Sequence, residues 1–173
     1  MSNKLVVTGK ILFSPEVRTK KHKKETSWKK VAMVMFDGDI TNYYAWFLNK
    51  RYNIILNPPQ RGGHITFIND SIKDISLNDT RSIEEVDELW DKLKGKWDNK
   101  IIDVTLDLNP KSNGEHWWLP IPHEDRLLLQ SIREEIGLGK PYWGLHMSIG
   151  YANEKNIFHS EYINNLLQKG VIP

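Results

Sequence analysis

The chain has 173 residues, 39% of them hydrophobic and 27% charged. That is enough for one ordinary folded domain and too apolar for a disordered segment. It contains no cysteine, which excludes disulfides, thiolate metal sites and cysteine nucleophiles. The net charge of +2 is unevenly spread: residues 18–30 hold Arg18, Lys20, Lys21, Lys23, Lys24, Lys29 and Lys30 against Glu25 alone. A solvated hairpin loop and a flap attracting phosphate-bearing ligands are both compatible with that run.

The N-terminus lacks an apolar run with a small-residue cleavage site, and no stretch has the length of a membrane span. These features predict a soluble cytoplasmic protein with no membrane association and no obligate protein partner.

In chain order, Leu5 to Phe13 predicts a first strand and Lys30 to Phe36 a second. Asn42 to Tyr52 predicts a short buried helix, with Asp39 or Thr41 as cap and Trp46 in the core. The loop Asn57-Pro58-Pro59-Gln60-Arg61-Gly62-Gly63 delivers the chain into a strand from His64 to Asn69. Arg81 to Lys94 has helical periodicity, Thr80 or Ser82 can cap it, and Gly95 is expected to end it. Ile101 to Leu108 and Glu115 to Ile121 predict paired strands around a turn at Asn109–Gly114. Pro122 opens a helix through Ile136, with Leu127, Leu128 and Ile132 expected on its apolar face. Leu145 to Tyr151 predicts a strand and Ile157 to Leu167 a last helix. The second half repeats the plan of the first without evident sequence identity.

Two of these strands carry chemistry. Residues two apart on a strand share a face. His64 and Thr66 therefore point one way, Ile65 and Phe67 the other. His146, Ser148 and Gly150 likewise oppose Met147 and Ile149. Of the six histidines, only His64 and His146 have Ser or Thr two residues on. A pair of imidazoles can supply the base and the acid of phosphoryl transfer, and the hydroxyls can donate hydrogen bonds to the non-bridging oxygens. Such a scheme needs no metal and no cofactor.

Arg61 is positioned to reach a phosphate, and Trp118, Tyr142 and Trp143 to stack on bases, although packing explains the aromatic residues as well. His116 and His123 have no carboxylate between them, and we expect no metal site there. No Gly-x-Ser-x-Gly elbow supports a serine nucleophile.

The motifs His64-Ile65-Thr66-Phe67 and His146-Met147-Ser148-Ile149 resemble the two H-x-[S/T]-apolar strands of the 2H phosphoesterase (LigT-like) superfamily. The resemblance implies an α+β fold, bilobal with pseudo-two-fold symmetry, in which two antiparallel sheets face a central cleft with helices outside. All 173 residues would form that single domain. It further implies metal-independent phosphodiesterase activity carried by His64, Thr66, His146 and Ser148. Implied substrates are cyclic nucleotides, cyclic oligonucleotide signals or short RNA. The lysine- and tryptophan-rich chain is similar in character to phage members that destroy messengers of antiphage (CBASS-type) signalling. Alternatives are an RNA-end 2′,3′-cyclic phosphate phosphodiesterase or 2′-5′ RNA ligase-like enzyme, and a nucleotide-binding module without catalysis.

Overall fold

A computed structural model describes residues 3–15, 30–37, 39–59, 61–69, 81–141 and 144–152. The expected last helix, the cap candidate Thr80 and most of the lysine-rich run lie outside the described residues. The fold is α+β.

The elements, in order, are β1 (Lys4–Phe13), β2 (Ala32–Phe36), α1 (Ile40–Tyr52), β3 (His64–Ile68), α2 (Ile83–Trp97), β4 (Ile101–Asp107), β5 (Lys111–Ser112), β6 (His116–Pro120), α3 (His123–Glu135) and β7 (His146–Tyr151). They build two antiparallel sheets, one ordered β3-β2-β1-β4 and the other β5-β6-β7. The two His-bearing strands thus both stand at a sheet edge, and β3 packs beside β7. An isolated antiparallel bridge pairs Asn57 with Tyr151 on the other side of β7.

Alternation sets the core. Ile11 and Phe13, Ala32 and Val34, Ile65 and Phe67, Val104 and Leu106, Leu119, and Met147 and Ile149 all point inward. Leu48, Trp90, Leu129 and Ile132 cover them from the helices. Phe13 meets Trp90 with ring centroids 4.9 Å apart and Phe67 at 6.3 Å. Each large side chain removed from water contributes about 1.5–3 kcal/mol.

The helices differ from expectation in instructive ways. In α2 the Ser82 hydroxyl accepts from the Glu85 amide while the Glu85 carboxylate accepts from the Ser82 amide, a reciprocal cap. Val86, Trp90 and Leu93 form its buried stripe. Gly95 does not end this helix, which runs on to Trp97. A helical glycine costs only about 1 kcal/mol, and the Trp97 indole, held by Glu135 and two lysines, anchors the extra turn. Trp46 is not in the core: it and Tyr43 are more than half exposed, and α1 buries Thr41, Tyr44 and Leu48 instead.

In α3 the expected apolar face is displaced. Leu127 and Leu128 are exposed, and the buried side is Leu129, Ile132 and Arg133. Choosing Leu129 brings both Ile132 and Arg133 inward with it, because they lie three and four residues on, along the same helical face. Arg133 is 1% exposed. Nη1 donates to the Phe67 carbonyl at 2.5 Å and Nε to the Gly139 carbonyl at 2.9 Å. One buried cation thereby links β3 to the segment that leads into β7.

Candidate active site

Each His strand is entered through a glycine. Gly62 precedes His64 by two residues and Gly144 precedes His146 by two. In both copies the imidazole Nδ1 turns back onto that glycine's carbonyl, at 2.8 Å for His64 and 2.6 Å for His146. A carbonyl only accepts, so Nδ1 carries the hydrogen in both rings. The Nε2 atom is left to take a proton when the ring is neutral or give one when it is charged.

Gly62 makes this contact with φ at +71°. Alanine at Gly62 would meet no neighbouring atom, yet it would strain the backbone there. We expect Gly62→Ala to cost about 1–2 kcal/mol of stability. The substitution also re-aims the carbonyl that holds His64. Urea midpoints of the variant and the wild type check the stability loss.

The two strands then match residue for residue. From glycine through seven positions, 62–68 and 144–150, exposure follows one sequence: exposed, buried, half-buried, buried, half-buried, buried, buried. The half-buried positions are His64 and Thr66 in one copy, His146 and Ser148 in the other. Both strands also bulge at the same place. Met33 pairs with Thr66 but Ala32 pairs with Ile68, so Phe67 is the extra residue. Trp118 pairs with Ser148 but Trp117 pairs with Gly150, so Ile149 is the extra residue.

The bulge corrects one expectation. Gly150 does not share the face of His146 and Ser148; it sits opposite buried Trp117, under the Leu56–Asn57 crossing. A Cβ on Gly150 would come within 2.5 Å of the Asn57 carbonyl oxygen. A bulge releases the strand from strict alternation just beyond the hydroxyl residue.

The sites of the two strands adjoin. A methyl on Gly63 would approach Met147 Sδ to 3.9 Å. His146 lies near enough that its charge opposes protonation of His64. Burial is the main cause that lowers the His64 pKa, helped by Arg61 and His146 and partly offset by the Gly62 carbonyl. Burial likewise lowers that of His146, helped by His116 and offset by the Gly144 carbonyl.

Both folded-state pKa values therefore fall below the ordinary 6.5. The unfolded chain binds more protons in the window below 6.5. Stability declines as pH drops through that window, and the loss is complete beneath the folded values.

Of the other expected site residues, Arg61 stands beside His64, since its charge acts on that ring. Trp118 is half-buried, and its ring centroid is 5.8 Å from that of His146. Trp117 faces the core. Tyr142 and Trp143 lie outside the described residues. His116 was not expected here, yet it shares the Trp118 face of β6, is exposed, and influences His146. Its place two residues before Trp118 is the signal that could have shown this. Met35 and Met33 stand in register with His64 and Thr66. Among the described residues, no group of three or more His, Cys, Asp or Glu is placed to hold a metal ion. None of their helices is long and apolar enough to cross a membrane.

The chain matches no protein-family model, no curated protein and no solved structure. The functional reading rests on the residues themselves.

Proposed function

We propose that the protein is a phosphodiesterase of the 2H type, breaking nucleotide phosphodiester bonds by paired-histidine acid/base catalysis without a metal. The observation that carries this reading is the repeated presentation of an imidazole Nε2 and a hydroxyl by two adjoining strands. A structural histidine explains one such strand well. Two copies with the same glycine contact, the same exposure sequence and the same bulge fit a pair of acid/base groups better.

In this reading one neutral imidazole takes the proton of the attacking water or ribose hydroxyl as its oxygen bonds to phosphorus. The other, protonated, gives its proton to the departing oxygen as that P–O bond breaks. Thr66 and Ser148 donate to the non-bridging oxygens, and Arg61 adds positive charge on the His64 side. The proposed architecture is a bilobal one, with β1-β2-α1-β3 and β5-β6-α3-β7 as related halves around a central cleft and β4 added to the first sheet. Cyclic nucleotides or cyclic oligonucleotide signals are the proposed substrates. In a bacterial cytoplasm such an activity would oppose antiphage signalling.

The pH profile tests the acid/base pair. Catalysis requires one neutral and one protonated imidazole, and both pKa values are lowered. We expect kcat/KM to be bell-shaped with its maximum below pH 6.5. A rate that rises monotonically through pH 8, as hydroxide attack would give, contradicts the pair.

A further inference from the structure

The two His strands are alike, but their neighbours differ. Strand register places Lys111 opposite Trp118, and Trp118 opposite Ser148. Paired residues share a face, so an ammonium, an indole and a hydroxyl form one row across the second sheet. Neighbouring strands are about 4.8 Å apart, which puts the Cα atoms of Lys111 and Ser148 about 10 Å apart with the indole between. Lys111 is exposed and has no ion-pair partner among the described residues. His116 stands on the same face, two residues from Trp118, with its ring 6.3 Å from that of Tyr151.

The comparable row on the first sheet is Thr66, Met33 and Leu12, and the exposed Lys10 stands in the neighbouring row with Met35 and His64. The Thr66 row carries no cation, and its middle position is a buried thioether. A base stacks on an indole plane far better than on a methionine. The asymmetry gives the site a direction.

We propose that Lys111, Trp118 and Ser148 form an extended subsite for an oligonucleotide with at least two phosphates. Its scissile phosphate lies against Ser148, the adjoining base on Trp118, and the next phosphate on Lys111. This inference rests on the phosphodiesterase reading above and names the substrate class within it. The row presents hydroxyl, aromatic plane and cation in the order in which a nucleotide chain presents phosphate, base and phosphate. A cyclic mononucleotide would fill the Ser148 and Trp118 positions and leave Lys111 unused.

The experiment compares a dinucleotide having one phosphodiester with the same dinucleotide carrying an added terminal phosphate at either end, in the linkage the wild-type protein cleaves. Wild-type kcat/KM should favour one of the two added phosphates. Lys111→Ala should lower kcat/KM about tenfold on that favoured probe, as for loss of a charge-assisted contact, and leave the one-phosphate probe within about twofold. The salt dependence of KM on the favoured probe should flatten in the same variant. Trp118→Ala should lower kcat/KM on both probes by about tenfold or more. Lys10→Ala should leave the preference intact. Equal loss on both probes in Lys111→Ala, or a preference abolished by Lys10→Ala instead, overturns the subsite while leaving the phosphodiesterase reading in place. Failure of the wild-type protein to cleave these probes overturns the subsite, and failure on cyclic oligonucleotides as well removes the phosphodiesterase reading with it.

Discussion

His64→Ala and His146→Ala should each lower kcat by about 10²–10⁴-fold, the range for loss of one positioned acid or base. Both rings are half-buried at sheet edges and are held by a single backbone carbonyl each. Their removal deletes no part of the hydrophobic core, and the variants should unfold near the wild-type urea midpoint. Because a burial-lowered imidazole is a liability at low pH, each variant should resist acid better than the wild type. The double variant should be hardly slower than the slower single one, since an acid and a base acting in one step are not additive. Multiplying losses would mean that the two rings contribute independently to the transition state instead of acting as a unit. Either single variant retaining wild-type turnover would remove its ring from the mechanism.

Arg133→Met should have the largest effect on stability of any polar substitution in the described residues. The side chains are of similar length, so little cavity forms. The carbonyls of Phe67 and Gly139, however, lose their guanidinium donor. An acceptor stranded in the interior costs about 1–3 kcal/mol, and two together about 2–5 kcal/mol. Part of that cost is offset because no buried charge has to be desolvated.

Location makes this substitution a matter of function as well. Phe67 is the bulge residue directly after Thr66, and Gly139 opens the segment that ends at Gly144, whose carbonyl holds His146. Arg133 is a positioning residue for both strands. Equilibrium urea unfolding should show a lowered midpoint. In folded Arg133→Met protein, kcat should fall with KM little changed, and Arg133→Lys should restore part of kcat. Wild-type kcat in a destabilised but folded variant would confine Arg133 to a structural role.

Much of this arrangement was legible in the sequence, for a physical reason. The polar and apolar residues of 64–67 and 146–149 alternate with period two, and one buried face on a strand fixes which way every side chain points. The cap candidate Ser82 and the stripe through Val86, Trp90 and Leu93 marked α2 as clearly. The bulges were not legible, because register depends on a partner strand that the local sequence does not contain. Leu127 and Leu128 misled because α3 offers two adjacent apolar faces, and only packing against β3 selects Leu129 and Ile132. Trp46 misled because α1 carries more aromatic rings than one buried side can take. Arg133 could not be foreseen as buried, since the Phe67 carbonyl that receives its Nη1 lies 66 residues away in sequence.

The central claim is that the two His strands are one catalytic pair acting at phosphodiesters. Its most direct test is a panel of linear and cyclic oligonucleotides, 2′-5′ and 3′-5′, incubated with the protein in excess EDTA and read by mass spectrometry. The account predicts that at least one member is cut at a single P–O bond, that the cut persists under chelation, and that it disappears in both His64→Ala and His146→Ala. Recovery of every oligonucleotide intact, or cleavage that stops with EDTA and survives in the histidine variants, would contradict it.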